Sequence, residues 1–319
     1  MSMKLKDIYS RAVQYGLKND PRSTGSLRKI MNERKKAYRA LRGANRKFFD
    51  AENLKHPFSD TRILYGAPET EVRSIMVGID VGIGELLVGD RLNQRGEGID
   101  LAMSHHPSGL ALAGLANVMG VHLDILENLG LSREIGKNLV QERVAEVDRK
   151  LHAGNHTRNV DAARLLDIPY MCVHTPSDNC VVKYLDRLFT RKRPKTVGDI
   201  VSLLDEIPEY NDATKQNAGP RTLVGKRKDA AGKVFVDMTG GTEGPKRVFA
   251  RLSQAGVGTI VAMHLSEEHF KSAKSERINV VVAGHIASDN LGVNLLLDTV
   301  TRGKGIKIVP CSGFIRVER

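Results

Sequence analysis

Three short motifs in this chain of 319 residues carry the side chains best suited to chemistry. Each motif places histidine directly after an apolar run. The motifs are Ser104-His105-His106-Pro107, His174-Thr175-Pro176-Ser177-Asp178 and His285-Ile286-Ala287-Ser288-Asp289. Imidazole together with carboxylate suits borderline divalent ions such as zinc, iron and manganese, whereas calcium and magnesium prefer oxygen ligands. The residue types therefore predict a metal site.

The spacing within the motifs indicates how these side chains converge. In the second and third motifs, the histidine and the aspartate are four residues apart, which puts them on one face of a helical turn. His105 and His106 are adjacent at a strand end that Pro107 breaks, so both can turn toward one cavity instead of opposite faces. We predict six metal-binding residues, namely His105, His106, His174, Asp178, His285 and Asp289.

The apolar runs before the motifs predict the elements that hold them. From residue 74 onward, short apolar runs alternate with helical stretches, which is typical of α/β layers. Buried strands are expected at 74–80, 98–104, 169–173, 259–263 and 278–283, with final strands at 306–309 and 314–317. In α/β sheets, functional sites gather beyond the carboxyl ends of strands, where loops converge. The motifs stand at such ends.

The chain is predicted to have three segments. Residues 1–57 form a basic helical hairpin appended to the main fold, 58–195 a first α/β domain and 196–319 a second. The boundary between the two domains lies in the basic, proline-containing connection 190–220. Helices that matter for the site are expected at 179–189 and 291–301, directly after the second and third motifs.

The net charge of +12 is concentrated at the N-terminus. Residues 1–50 contain 14 Lys/Arg and 4 Asp/Glu, a net charge of +10. Such a segment attracts phosphate backbones and other polyanions, but no nucleic-acid recognition signature accompanies it. The alternatives are a solvated helix face and an oligomer contact. We expect this segment to pack in the interface of a homo-oligomer, with nucleic-acid binding as the second interpretation.

Composition excludes several classes of protein. Hydrophobic residues make up 41% and charged residues 27%, which is typical of a globular chain. No apolar run approaches the roughly 20 residues needed to cross a bilayer, and no apolar signal core is visible. We expect a cytoplasmic protein with no membrane partner. The three cysteines, Cys172, Cys180 and Cys311, have neither disulfide-type nor zinc-type spacing.

The motifs and their order resemble the Ngg-interacting-factor-three family, whose members are also known as a GTP cyclohydrolase type. The similarity lies in Met-Ser-His-His-Pro at 103–107, Val-His-Thr-Pro-Ser-Asp at 173–178 and Val-Ala-Gly-His-Ile-Ala-Ser-Asp-Asn at 282–290. The stretch 58–66 resembles the opening of the family's sequence. The resemblance covers roughly residues 58–319.

This resemblance implies a two-domain α/β protein with a dinuclear metal centre in a cleft, often assembled as a hexameric ring. It implies two divalent ions held by His105, His106, Asp178, His285 and Asp289, with His174 close by. A metal-dependent hydrolase acting on a nucleotide-like substrate would follow. Two features depart from the family. The family usually has Glu where this chain has Asp289, and the helical stretch before residue 58 is longer and more basic.

Three further residues or segments are candidates for supporting roles. His269, at a predicted helix start, is a candidate catalytic acid or base, against the alternative of a solvated helix face. Asp80 ends the first strand and is placed to orient a ligand histidine or to cap the chain. The turn 240–244 could present backbone N–H groups to a phosphate, although it matches no established phosphate motif. A non-catalytic, metal-stabilised regulatory or assembly protein remains the alternative function.

Overall fold

The structure, a computed structural model, describes residues 2–319, and these contain eleven strands and fourteen α-helices. The strands are β1 (Met3–Lys4), β2 (Arg62–Tyr65), β3 (Glu71–Val72), β4 (Ser74–Gly78), β5 (Leu101–Ser104), β6 (Tyr170–Cys172), β7 (Arg221–Val224), β8 (Lys233–Asp237), β9 (Val257–Ala262), β10 (Asn279–Val282) and β11 (Lys307–Cys311). The α-helices are α1 (Leu5–Lys18), α2 (Thr24–Ala40), α3 (Gly43–Lys47), α4 (Ile83–Gln94), α5 (Gly109–Ala113), α6 (Val121–Asn128), α7 (Arg133–His152), α8 (Arg158–Leu165), α9 (Thr175–Lys192), α10 (Val197–Asp205), α11 (Pro208–Lys215), α12 (Phe249–Gln254), α13 (Glu267–Ser275) and α14 (His285–Val300). Short 3-10 helices lie at Ala51–Leu54, Leu115–Val118 and Lys246–Val248. The α/β class is confirmed.

The first main sheet contains five strands in the order β11-β4-β5-β6-β2. Neighbouring strands are parallel except at the edge, where β2 pairs antiparallel with β6. The three central strands are buried along their whole length, as expected for parallel strands covered by helices. Ser104 at the end of β5 is in register with Cys172 at the end of β6. The first two motifs therefore leave the sheet side by side.

The second main sheet contains four strands in the order β7-β10-β9-β8. β8, β9 and β10 are parallel, and β7 joins the edge antiparallel to β10. The third motif follows β10. A small ribbon, in which β1 pairs antiparallel with β3, ties the N-terminus to the main fold.

Helices α9 and α14 pack against each other between the two sheets. On α14, Leu296 and Val300 belong to the hydrophobic core of the first sheet, whereas Ala287 and Leu291 belong to that of the second. Gly292 allows close contact between the helices, because a Cβ there would lie 2.6 Å from the carbonyl oxygen of Ser177 in α9. The N-terminal parts of both helices, which carry most of the second motif and the whole third motif, are thus held together.

The N-terminal helices were predicted, but α1 does not stand apart from the main fold. Leu5, Ile8 and Ala12 are fully buried in the core of the first sheet, because the apolar stripe of α1 packs onto it. By contrast, α2 has no fully buried residue. At the other terminus, β11 joins the first sheet although it follows the predicted second domain. The domain boundaries at 57/58 and 195/196 stay predictions.

Three local features differ from the sequence-based expectations. Helices α9 and α14 begin at Thr175 and His285, several residues before the predicted starts, because their first turns carry polar residues that apolar periodicity does not detect. Residues 314–317 form no strand. The side chain of Asn294 instead bonds the backbone of Ile315 and Val317 at 3.0 Å each, in place of a neighbouring strand.

No helix within residues 2–319 combines the length and the apolar character that crossing a membrane would require.

Candidate metal site

The structure brings the six predicted metal-binding side chains together in one cluster between the sheets, and all of them except His106 line a cleft. His105 and His106 directly follow β5, and His174 is the N-cap of α9 after β6. Asp178 lies in the first turn of α9, while His285 and Asp289 occupy the first two turns of α14. Each motif thus sits where a parallel strand ends, in agreement with the rule for sites in α/β sheets.

Asp289 is at the centre of the cluster. Its Oδ1 lies 3.3 Å from Nε2 of His105, whose Nε2 is also 3.4 Å from Oδ1 of Asp178. Its Oδ2 lies 3.5 Å from Nε2 of His106 and 3.5 Å from Nε2 of His285. The two carboxylate oxygens of one residue therefore face two different groups of donors.

Three combinations of these residues offer ligand atoms that all lie within 4.8 Å of one another. They are His105, Asp178 and Asp289; His106, His285 and Asp289; and His105, His106 and His174. Two of the three share Asp289. The short aspartate side chain therefore reaches both groups, even though Glu would be expected at this position from the family resemblance.

Acceptors behind three of the imidazoles fix how the rings are oriented. Nδ1 of His105 lies 3.1 Å from the carbonyl oxygen of Val173, and Nδ1 of His106 lies 2.7 Å from the Asp80 carboxylate. Nδ1 of His174 lies 2.9 Å from the Asp60 carboxylate. An acceptor at Nδ1 favours a proton there and leaves Nε2 as the ligand atom. The contact predicted for Asp80 is present.

Asp60 was not identified from the sequence. It stands 114 residues before His174, and no spacing rule connects the two positions. Its only signal was its place in the stretch 58–66, which resembles the family's opening. The contact depends on β2 and β6 being neighbours in the first sheet.

The donor set fits a cation. His105, Asp178 and Asp289 are buried. Within residues 2–319, Oδ1 of Asp178 and both carboxylate oxygens of Asp289 have no hydrogen-bond partner. Buried polar atoms are nearly always satisfied, and an unpaired buried carboxylate is costly. Divalent ions would satisfy these oxygens and the converging imidazole nitrogens together.

The protonation states of the cluster are strongly perturbed. Burial raises the pKa of Asp178 to about 8. Burial would by itself lower the pKa of His106, but the carboxylates of Asp289 and Asp80 outweigh it and raise that pKa to about 9. Burial opposes ionisation of Asp289 as well, yet the neighbouring imidazoles hold its pKa below the usual range. At neutral pH the metal-free cluster therefore retains protons on Asp178 and His106.

The cleft continues from the cluster toward the second sheet. Asp237, Thr239, Gly241 and Glu243 line its far side. The turn 240–244 borders the cleft, but the element after it is only a short 3-10 helix. A helix N-terminus suited to phosphate binding therefore does not follow this turn.

His269 lies in this cleft, but both of its ring nitrogens have close neighbours. Nε2 is 3.2 Å from the carbonyl oxygen of Gly244, and Nδ1 is 2.5 Å from the Ser266 hydroxyl and 3.4 Å from Glu243. The residue is buried. A second histidine, His264, was missed in the sequence because it follows β9 without a partner at a recognisable spacing.

The position of His264 is the more open of the two. Its side chain is 49% exposed, and Nδ1 lies 3.5 Å from Glu243. Its ring centroid is 4.9 Å from that of His285. The neighbouring Glu243 carboxylate raises the pKa of His264. His264 therefore links the metal cluster to the far side of the cleft.

Comparison with known structures shows what this chain is similar to. The crystal structure of a NIF3 superfamily protein from Sphaerobacter thermophilus superposes with a TM-score of 0.69 and 25% sequence identity, covering 80% of this chain and 92% of that one. The chain therefore has the NIF3-like fold, and the comparison supports the NIF3-like family. The resemblance drawn from the three motifs is thereby confirmed.

A second solved structure, protein ybgI of unknown function, has the same NIF3-like fold at lower similarity. It superposes with a TM-score of 0.50 and 14% identity, covering 82% of this chain and 94% of that one. No protein-family model and no curated protein matches the sequence. At these identities, the function of this NIF3-like chain has to be argued from its own cleft.

Proposed function

We propose that this NIF3-like protein binds two divalent metal ions, zinc, iron or manganese, and is a metal-dependent hydrolase acting on a nucleotide-like substrate. The observation that carries the proposal is the set of three buried carboxylate oxygens without partners, on Asp178 and Asp289, facing imidazole Nε2 atoms. Nitrogen and oxygen donors in this mixture favour these metals over calcium or magnesium.

The arrangement around Asp289 supports two ions over one. Oδ1 of Asp289 would share one ion with His105 and Asp178, and Oδ2 would share the other with His106 and His285. His174 adds a sixth donor close to His105, with ring centroids 4.8 Å apart. Asp289 would thus help to hold both ions.

The residues around the centre supply orientation and proton transfer. Bound divalent ions would polarise a substrate oxygen and lower the pKa of a water molecule. Asp80 and the Val173 carbonyl hold the ligand imidazoles in place. His264, paired with Glu243, is the side chain placed to hold or move a proton in the cleft. We propose that His269 orients Glu243, and the catalytic role predicted for His269 itself stays a prediction.

Charged and polar side chains line much of the cleft, which suits a small polar molecule. Glu243 offers a carboxylate to N–H donors such as those of a purine ring, at the end away from the metal cluster. By resemblance to the family, the reaction would be hydrolytic ring opening of GTP or of a related nucleotide.

The test is activity of the purified protein reconstituted separately with manganese, iron and zinc. Nucleotides and phosphoesters are screened, and product formation is followed by chromatography. We expect turnover with at least one metal and a loss of at least about 100-fold in His106→Ala, which removes a ligand. His152→Ala, an exposed histidine of α7, is the matched control. Turnover that is absent with every metal, or unchanged in His106→Ala, contradicts the hydrolase.

The alternative is a non-catalytic protein in which metal holds the two sheets together. It is favoured by the deep burial of His105 and Asp289 on elements of different sheets. A ligand at 100 times its dissociation constant stabilises the folded state by about 2.7 kcal/mol. Urea unfolding with metal and with a chelator measures this gain. A large gain without turnover in the screen would favour the structural role.

We also propose that the chain forms a homo-oligomer, as a hexamer in the family's manner, through its N-terminal helices. Helix α2 has no buried residue, although Leu27, Ile30 and Met31 form an apolar stripe along it. Phe48, just after α3, is 78% exposed. An apolar surface of this kind is typical of an interface. Nucleic-acid binding by the same basic segment remains the second interpretation.

A further inference from the structure

The stretch from Phe58 to Arg62 is buried although most of it belongs to no strand or helix. Phe58, Asp60 and Thr61 are fully buried, and Ser59 and Arg62 are nearly so. Connecting segments normally run over the surface, since their backbone polar groups need partners. Something must therefore cover this stretch, and the covering elements come from the N-terminal segment, residues 2–57.

The cover is a polar network centred on Tyr9 of α1. The Tyr9 hydroxyl lies 2.5 Å from Glu52 Oε1, 2.5 Å from His56 Nε2 and 3.3 Å from the carbonyl oxygen of Thr61. In addition, Arg34 of α2 donates to the carbonyl oxygen of His56 at 3.1 Å. Helices α1 and α2 thus both fasten the chain immediately before and within the buried stretch.

The N-terminal segment also contacts the C-terminal end of the buried stretch, at Arg62. The Arg62 guanidinium donates to the Asp50 carboxylate through Nη1 at 3.0 Å and also through Nη2. The Ser59 hydroxyl lies 2.8 Å from the side-chain oxygen of Asn53. The N-terminal segment therefore contacts the stretch on both sides of Asp60.

Asp60 connects this network to the metal cluster. Its Oδ2 accepts hydrogen bonds from Nδ1 of His174 at 2.9 Å and from the hydroxyl and backbone N–H of Thr175 at 2.5 and 3.3 Å. Thr61 accepts the backbone N–H of His174 at 3.1 Å. Both the ring and the backbone of His174 are thus fixed by neighbouring residues of the buried stretch.

The contact with Asp60 determines the orientation of the His174 ring. An acceptor at Nδ1 places the ring proton there and leaves Nε2 as the free ring nitrogen, and the His174 ring centroid lies 4.8 Å from that of His105.

We propose that Asp60 is a positioning residue for His174 and that the N-terminal segment keeps Asp60 in place. The N-terminal segment thereby supports the geometry of the metal site. The metal-binding part of this inference rests on the proposed function. The orientation of His174 does not, because it exists in the metal-free protein.

The first experiment measures the tautomer of His174 by nitrogen NMR of the imidazole ring in the full-length, metal-free protein. We expect the proton on Nδ1 in the wild type, and redistribution between the two nitrogens in Asp60→Ala. Asp60→Asn retains an acceptor oxygen and should recover part of the wild-type signal. An unchanged Nδ1 proton in Asp60→Ala overturns the proposal, whether or not the protein binds metal.

The second experiment measures zinc affinity by competition with a chromophoric chelator. Loss of an outer partner of a ligand typically weakens metal binding 10- to 100-fold, and we expect a loss of about that size for Asp60→Ala. Tyr9→Phe should cost less, about fivefold, because the Tyr9 hydroxyl contacts neither Asp60 nor His174 and acts only through the network. If Asp60→Ala does not fold, the zinc affinity of Tyr9→Phe tests the proposal instead.

The matched control is Tyr38→Phe, also in the N-terminal segment. The Tyr38 ring packs against Phe49 and lies under Arg46, away from the Tyr9 network. The zinc affinity of Tyr38→Phe should equal that of the wild type. If Tyr9→Phe and Tyr38→Phe lost equal zinc affinity, or if Tyr9→Phe lost none, the N-terminal segment would not support the metal site. Failure of the wild type to bind zinc would count against the metal proposal and leave the tautomer result to decide on Asp60.

Discussion

At the scale of single residues, the cluster combines groups whose protonation opposes metal binding. Asp178, with a pKa of about 8, and His106, with a pKa of about 9, hold protons at neutral pH, whereas burial lowers the pKa of His285 to about 4. A metal ligand must be deprotonated. Binding at neutral pH should therefore release protons from Asp178 and His106 and leave His285 unchanged.

This gives a pH prediction. Below pH 8 both groups must lose a proton, so the apparent affinity should rise with pH by about tenfold per pH unit for each proton displaced. Above pH 9 both are already deprotonated and the affinity should level off. Competition titrations with zinc at pH 6.5, 7.5, 8.5 and 9.5 measure the profile.

Asp80→Asn is the informative variant for this profile, since the Asp80 carboxylate helps to raise the pKa of His106. The rise in affinity should then end at a lower pH. If the zinc affinity of the wild type did not change between pH 6.5 and 8.5, metal binding would displace no proton from Asp178 or His106.

At the scale of elements, the site depends on how closely α9 and α14 approach. Asp178 lies in the first turn of α9, and Asp289 lies in the second turn of α14. The helices are in tight contact at Gly292, where a Cβ would be 2.6 Å from the Ser177 carbonyl oxygen and 2.8 Å from a methyl group of Val181. The Ser177 oxygen belongs to the backbone and cannot rotate away.

We therefore expect Gly292→Ala to push the helices apart. Overpacking of this kind typically destabilises by about 1–3 kcal/mol, and it should also weaken zinc binding because Asp178 and Asp289 separate. Urea unfolding of the metal-free protein and chelator competition measure the two effects.

Gly84→Ala in α4 is the matched control, since a Cβ there meets nothing within 4 Å. Alanine in an open helical position should leave stability unchanged or raise it by up to about 1 kcal/mol. If Gly292→Ala behaved like Gly84→Ala, the close helix contact would not be what sets the geometry of the cluster.

At the scale of the whole molecule, the basic segment has two different parts. Helix α1 is buried against the first sheet, whereas α2 and Phe48 remain accessible. Deleting residues 1–50 would therefore disturb the core together with any interface. Single substitutions on the accessible part separate the two effects.

We expect Phe48→Ser combined with Ile30→Ser to lower the molecular mass in light scattering, because apolar contacts are lost from the interface. The wild-type mass should persist at high salt, since apolar burial is not screened. Leu165→Ser, at another exposed apolar position in α8, is the control and should keep the wild-type mass.

The opposing interpretation makes a different forecast for the same variants. If the segment binds nucleic acid, affinity for random DNA or RNA should fall log-linearly with salt concentration through counterion release. Unchanged mass in the double variant, together with salt-sensitive nucleic-acid binding, would favour that interpretation over an oligomer interface.

The sequence by itself determined the α/β class, the main strands and the six side chains of the cluster. It could do so because apolar periodicity reports which local stretch is buried, and because His-x-x-x-Asp spacing is a property of one helical turn. Such signals are local. They predicted that Asp178 lies near His174 and Asp289 near His285, but they could not predict that the two pairs lie in one cluster.

The tertiary structure alone decided the rest. The first turns of α9 and α14, the return of β11 to the first sheet and the burial of α1 depend on packing between distant segments. The contact of Asp60 with His174 and the position of His264 beside His285 have the same origin. No pattern within a short window encodes these contacts, because strand order and helix packing bring together residues from separate elements, 21 positions apart for His264 and His285 and 114 for Asp60 and His174.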